Sequence, residues 1–203
     1  FTNTDIALYT SWLYLPWVIK PLWSPVVDIL RTKRFWIGTM QIFIGAGLAG
    51  VAFTIPTSDP LKYTMAFLWL MAFSSATHDI AADGFYMHAL SSHDQAWMIG
   101  IRNTFYRFAI LFGQGLLVMI AGKLEIWTGN VTTAWSVTFG LMGGLFIIFS
   151  IYHHWMLPLP KSDQPHPNPS LSETVRNFIN VFISFFKKPK MSIVIIFILL
   201  YRF

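Results

Sequence analysis

Residues 35–55 read FWIGTMQIFIGAGLAGVAFTI, twenty-one consecutive positions without a charged side chain. A helix that crosses a bilayer needs about 20 predominantly apolar residues, so this run alone points to a membrane. Working outward, four further segments have comparable length and apolarity: 4–27, 62–88, 98–122 and 133–154. A sixth run, MSIVIIFILLYRF at 191–203, begins in the same way. The segment 4–27 is the least hydrophobic of the five, because Lys20 stands in it among Pro16, Pro21 and Pro25. The expected fold is all-α and integral to the membrane, a polytopic helix bundle.

Composition agrees. Of the 203 residues 55% are apolar, 17% aromatic and 11% charged, against about 25% charged in ordinary soluble domains. That excludes a disordered chain and almost any soluble enzyme of this size, and the absence of cysteine excludes a disulfide scaffold. Nine Trp, seven Tyr and nineteen Phe suit a bundle whose helix ends all meet water interfaces. The net charge of +5 raises nucleic acid as a partner. The Lys and Arg form no aromatic-flanked patch, however, and sit mostly between spans, so no nucleic-acid partner is expected. The lack of an initiator Met and the end inside an apolar run suggest a piece of a longer polypeptide.

The connections 28–34, 56–61, 89–97 and 123–132 are short, which forces antiparallel neighbours and loops on alternating sides. One side collects Arg31, Lys33, Arg34, Lys161, Arg176, Lys187, Lys188 and Lys190, eight basic residues against Lys62 and Lys123 on the other. The positive-inside bias then makes 28–34, 89–97 and 155–190 cytoplasmic, in a multi-pass protein of the cell's inner (plasma) membrane. Within 155–190, KSDQPHPNPS is a polar, Pro-rich linker. SLSETVRNFINVFISFFKK reads as an amphipathic helix with Ser170 or Ser172 as cap and Leu171, Val175, Phe178, Ile179 and Phe182 on one stripe. Such a helix lies on a membrane surface with its terminal lysines facing anionic headgroups. The chain thus divides into a bundle of five spans (1–154), a linker (155–190) and the start of a second bundle (191–203).

The run 45–50, GAGLAG, spells GxGxxG. It lies in mid-span with neither a preceding strand nor an acidic residue at the required distance, so it is no dinucleotide site. Small residues there serve close helix packing, and Gly140 and Gly144 suggest a similar pair in 133–154.

The chemistry lies in the charges kept within the spans: Lys20, Asp79, Asp83, Arg102 and Arg107. Each costs about 2.5–3.5 kcal/mol at a lipid-exposed helix centre, so they must face one another, the bundle interior or water. A turn centred near residue 93 sets Asp79 level with Arg107 and Asp83 level with Arg102. Asp79 and Asp83 are also one turn apart on one face, where like charges repel. Two readings follow. The acids and arginines neutralise one another to hold a hairpin, or a carboxylate titrates as helices rock while an arginine alternates between it and an anionic solute. His78 adds a relay group or a packing residue, and with Ser74 four positions earlier it makes a weak nucleophile–base pair. No second His or Cys stands at ligand spacing, so neither a metal nor any other cofactor is expected. His153 and His154 read as interface residues. Lys20, in WVIKPLWSP, sits where a broken helix frees carbonyls; its ammonium either attracts an anionic solute or snorkels.

These residues also resemble a known group. LPWVIKPLWSPVVDILRTKR, 15–34, is similar to the second helix and following loop of the major facilitator superfamily. More narrowly it resembles the AmpG-like muropeptide permeases and the acetyl-coenzyme A transporters, matching LP…K.LW.P..D through Leu15, Pro16, Lys20, Leu22, Trp23, Pro25 and Asp28. SSATHDIAADGFY, 74–86, looks like that group's S.ATQDI..D. segment, with His78 in place of the usual Gln. Gly100, Asn103, Tyr106, Arg107 and Gly113 fit the next helix. The resemblance covers about residues 5–160. It implies two six-helix bundles with alternating access around a midplane cavity. This chain would then be the N-terminal half without its first helix, plus the start of the C-terminal half, with the rest of its own chain as a missing partner. Asp28, Arg31, Lys33 and Arg34 would form the family's loop motif, the acid capping a helix end and latching the bundles in one state.

The expected function is secondary active transport, proton-driven, of an amphipathic or anionic small-molecule solute: a sugar-peptide or an acyl-coenzyme A-like molecule. Asp79, Asp83 and His78 are the candidates for proton coupling, and Lys20, Arg102 and Arg107 for the solute cavity, with no catalytic residue. Two rivals remain. An intramembrane acyltransferase would form product without a gradient, and a subunit that only anchors a complex would tolerate paired neutral replacement of Asp79, Asp83, Arg102 and Arg107.

Overall fold

Prolines decide the first segment. A computed structural model describes residues 2–160, 162–164 and 170–202, and in it 4–27 is three short pieces. They are α1 (Asn3–Leu13), α2 (Leu15–Ile19) and α3 (Ser24–Leu30), with a single 3-10 turn, Lys20–Leu22, between α2 and α3. Pro16, Pro21 and Pro25 each stand in the first turn of a new piece, where the missing N–H costs nothing and continuation of the preceding helix is blocked. The continuous span expected there is therefore a broken one.

The helices that follow are long: α4 (Lys33–Thr54), α5 (Pro60–Ala89), α6 (Ser92–Leu111), α7 (Leu117–Thr128) and α8 (Val131–Met156). Between α6 and α7 lies a π-helical turn, Phe112–Leu116. By length and composition three helical stretches can cross a membrane: 33–54, 92–128 and 131–156. α5, 30 residues long, is not one of them, since its second half carries SSATHDIAADG. It is about 45 Å long, ample for a bilayer, and its Thr77, Asp79 and Asp83 bond to neighbouring elements.

α4 is the centre of the packing, between α5 and α8. Its Gly45 and Gly143 of α8 bring two backbones together. A Cβ on Gly143 would lie 2.8 Å from the Gly45 carbonyl oxygen and 3.2 Å from the Ala49 amide nitrogen. Gly47 and Gly50 are instead covered by Met71 and Phe67 of α5. The GAGLAG run thus divides its small residues between two partners, as the packing reading requires. On α8 the packing glycine is Gly143; Gly140 and Gly144, expected to fill that role, have nothing within 4 Å of their Cβ positions. Gly143 lies one residue from Gly144 and three from Gly140, and small-residue spacing alone does not resolve which of them packs.

Caps set the helix ends. Ser91 accepts from the Asp94 amide at 3.2 Å and starts α6, while Asn130 accepts from Thr133 at 3.0 Å and starts α8. Gly129, at φ +66°, makes the left-handed residue between α7 and α8.

The second compact unit, residues 165–203, holds α9 (Leu171–Phe186) and α10 (Met191–Arg202). α9 begins directly after Ser170, one of the two expected caps. The rings of Phe178, Phe182 and Phe186 pack in sequence with centroids 5.9 and 5.1 Å apart, so the apolar stripe is continuous. Lys161, residues 165–169 and the side chain of Leu171, all used in the sequence reading, lie outside the described residues.

Candidate functional site

The candidate site is one face of α5. Asp79 lies ten residues and Asp83 six residues before Ala89, the end of the helix, about 15 and 9 Å along its axis. Each carboxylate has its own cation. Lys20 Nζ donates to Asp79 Oδ2 at 2.7 Å, with the two side chains 32% and 38% exposed. Arg102 donates to Asp83 Oδ1 at 2.6 Å, both partners being about half exposed. The Arg102 guanidinium also lies 5.2 Å over the Tyr86 ring, a cation–π contact that fixes its plane.

The expected level pairing is therefore half right. Asp83 meets Arg102, but Asp79 meets Lys20 and not Arg107. The reason is divergence of the hairpin. The hydrogen bonds described between α5 and α6 cluster near the turn, from the Tyr86 hydroxyl to the Gln95 carbonyl and from Gln95 Nε2 to Met87 and Leu90. No residue of α6 is buried, and the broken first segment takes the place beside Asp79. Arg107 stands further along α6 in a shallow groove with Asn103, Thr104, Phe108 and Leu111. It has no hydrogen bond or ion pair among the described residues.

Lys20 reaches Asp79 because the 3-10 turn ends α2 there and exposes the side chain toward α5. The same turn sets Trp23, whose indole Nε1 donates to the Thr77 hydroxyl at 3.2 Å and whose ring lies 5.5 Å from Phe73. Trp23, Thr77 and Phe73 carry no charge, and the sequence reading missed them as part of the site. Below them Val27, Ile37 and Ala81 form a small dry core that fixes α3 on α4 and α5.

His78, on the same stretch of α5, buries Nε2 with no hydrogen-bond partner among the described residues. No hydrogen bond joins it to Ser74 among those residues. His153 is not merely an interface residue: its Nδ1 lies 2.8 Å from the Gln41 amide, across α4 and α8. Gln41, buried, is the only amide side chain in the run 35–55, which was the available signal. His154 is exposed.

At the basic end, the four residues of the expected loop motif separate. Lys33 is 5% exposed, a rare burial for lysine. Its ammonium donates to Asp28 Oδ1 at 2.5 Å and to the Val27 carbonyl at 3.3 Å, and its stem fills the space over Gly84. Asp28 therefore holds a lysine, and among the described residues it caps no helix. The capping is done by Thr32, which accepts from Phe35, and by Asp163, which accepts from the Lys33 and Arg34 amides at 2.8 and 3.3 Å. Asp163 is 6% exposed. It was invisible in the sequence, because a cap 130 residues away leaves no local pattern. Arg34 donates to the His154 carbonyl, and Arg31 lies 5.6 Å over the Phe35 ring.

Comparison with known proteins adds the following. The chain is 27% identical over 191 residues to an anhydromuropeptide permease of Escherichia coli (strain K12), covering 92% of this chain and 36% of that protein. An uncharacterized Haemophilus influenzae protein is 28% identical over 163 residues, 74% of this chain and 36% of its own length. An uncharacterized Schizosaccharomyces pombe protein is 28% identical over 124 residues, 53% of this chain and 24% of its own. The chain thus spans little more than a third of the length of the bacterial relatives. No solved structure matches it. The profile of the Major Facilitator Superfamily matches residues 2–203, effectively the whole sequence, and with the all-helical bundle and its apolar spans this makes the chain a multi-pass membrane protein that belongs to the major facilitator superfamily.

Proposed function

We propose that the protein is a proton-coupled secondary transporter that works by alternating access, carrying an amphipathic, anionic sugar-peptide. The observation that carries this reading is the pair of ion pairs on one face of α5, Lys20–Asp79 and Arg102–Asp83, each linking α5 to a different element. A carboxylate that loses its cation when elements move apart becomes easier to protonate. Rocking of the broken segment or of α6 against α5 is thereby coupled to proton uptake. The cation released, or Arg107, is free to meet an anionic group of the solute. His78, beside Asp79 in sequence, serves as relay. The permease named among the relatives favours a muropeptide-like solute over an acyl-coenzyme A-like one.

On this reading residues 1–154 belong to an N-terminal bundle, 155–190 link it to a second, and 191–203 begin that second bundle. The basic end faces the cytoplasm across the inner membrane. Asp28 with Lys33, and Arg31 and Arg34 beside them, act as the latch at that end.

The test is Asp83→Asn in the full-length protein, with accumulation of labelled anhydromuropeptide followed in vesicles under an imposed proton gradient. Gradient-driven accumulation should vanish while the yield of folded protein stays at the wild-type level. Wild-type accumulation in that variant overturns the coupling assignment. Product formation in detergent without a gradient would turn the reading to an acyltransferase.

A further inference from the structure

On the outer flank of α4 and α8, away from the α5 charges, lies a groove of about 630 Å³. Its floor is made by the small residues Gly38 and Thr39 of α4 facing Ser150 of α8. The Ser150 hydroxyl donates to the Gly38 carbonyl at 2.9 Å, so that donor is already spent within the floor. Ile42, half exposed, walls the inner end, Ile151, half exposed, lies near the level of Gly38, and Trp155, 80% exposed, stands at the outer end.

The outer end is cationic. Arg34 lines the groove, and Arg31 is held beside it over the Phe35 ring. Arg34 spends one N–H on the His154 carbonyl, which leaves most of its five donors. Among the described residues no carboxylate lines the groove. The acids near it are already committed, Asp163 to two backbone amides and Asp28 to Lys33. From Arg34 to Ile42 is eight residues of helix, about 12 Å. That is close to the depth of one leaflet, half of a hydrocarbon core of about 30 Å. Charge at the headgroup level, an exposed indole beside it and an apolar trough of leaflet depth match a lipid of one polarity.

We propose that this groove is a binding site for one anionic phospholipid, its phosphate on Arg31 and Arg34 and an acyl chain along Thr39, Ile42 and Ile151. Nothing in this site depends on the transported solute, and its test reads lipid and not uptake.

Delipidated full-length protein is incubated with vesicles of equal phosphatidylglycerol and phosphatidylcholine, and retained lipid is counted by native mass spectrometry. Wild type should retain phosphatidylglycerol preferentially. An arginine at an anionic surface changes binding about fivefold, so Arg31→Gln with Arg34→Gln should lower the preference by about 25-fold. Thr39→Trp, which fills the trough and keeps both arginines, should lower retention of the bound lipid, and Lys123→Gln at the other end of the bundle should not. Equal retention of the two lipids by wild type overturns the proposal. So do an unchanged preference in the arginine variant, unchanged retention in Thr39→Trp, and a loss in Lys123→Gln as large as in the arginine variant. Displacement by millimolar glycerol phosphate also overturns it, since the site would then be one for free phosphate.

Discussion

Removing the Lys20–Asp79 pair one partner at a time, and then both, separates a charge that holds the bundle from a charge that carries protons. At 2.7 Å and an effective dielectric near 20, two unit charges attract by about 6 kcal/mol. Desolvation of both ions offsets much of that. With 32% and 38% of the side chains still exposed, screening lowers the net coupling further, to about 1–2 kcal/mol. Lys20→Met leaves the Asp79 carboxylate without its cation, and Asp79→Asn leaves the ammonium without its anion; each should destabilise by about 1 kcal/mol. In the double variant neither charge remains, so stability should return to within about 1 kcal/mol of wild type, the shortfall from additivity giving the coupling. Thermal unfolding of the detergent-solubilised full-length protein reads this, at about 2–4 °C per kcal/mol. Uptake into vesicles under an imposed proton gradient is then measured on the same four proteins. Recovered folding with uptake still abolished is the expected result. Strictly additive destabilisation would refute the energetic pairing, and full uptake by the double variant would refute a proton role for Asp79.

Gly143→Ala should destabilise by about 1–3 kcal/mol, because its Cβ meets backbone at 2.8 and 3.2 Å that no rotamer can relieve. Gly144→Ala, with open space, should stay within about 0.5 kcal/mol in the same melts, and equal effects would remove the α4–α8 contact. Asp163→Ala strips a cap worth about 1 kcal/mol, so the Lys33 and Arg34 amides should exchange about fivefold faster with deuterium. Unchanged exchange there would show that Thr32 caps α4 alone.

The membrane fold was legible because it depends on sums: long apolar runs, short loops and biased charge. Those signals survive one-residue errors. Contacts of single residues do not. Asp83–Arg102 was readable because it sits near the turn, where two antiparallel helices have not yet diverged. Asp79–Arg107 failed by distance from that same turn, and the winning partner, Lys20, lies 59 residues away across a helix break. The prolines around Lys20 announced the break but not its direction. Gln41 and the Gly113-Gln114-Gly115 triplet were local oddities in apolar runs, and they mark the His153 contact and the π-turn. Asp163 had no such mark, since a linker residue that caps a distant helix obeys no period.

These contacts divide the first unit into parts of unequal firmness. α4, α5 and α8 interlock through backbone-to-backbone approach at Gly45 and Gly143 and through Gly47 and Gly50 under Met71 and Phe67. Close-packed interfaces of that kind are bistable at most and do not deform smoothly. The broken segment is held on α5 by two polar contacts, Lys20 to Asp79 and Trp23 to Thr77, and by the small core of Val27, Ile37 and Ala81. α6 buries no residue and runs into a π-turn, where helices readily change direction. The two ion pairs thus stand at the seams between the interlocked helices and the loosely held ones. A proton arriving at Asp79 or Asp83 removes the attraction across a seam and leaves the interlocked core intact, and a transport cycle in which protonation is to move helices requires its acids at such positions.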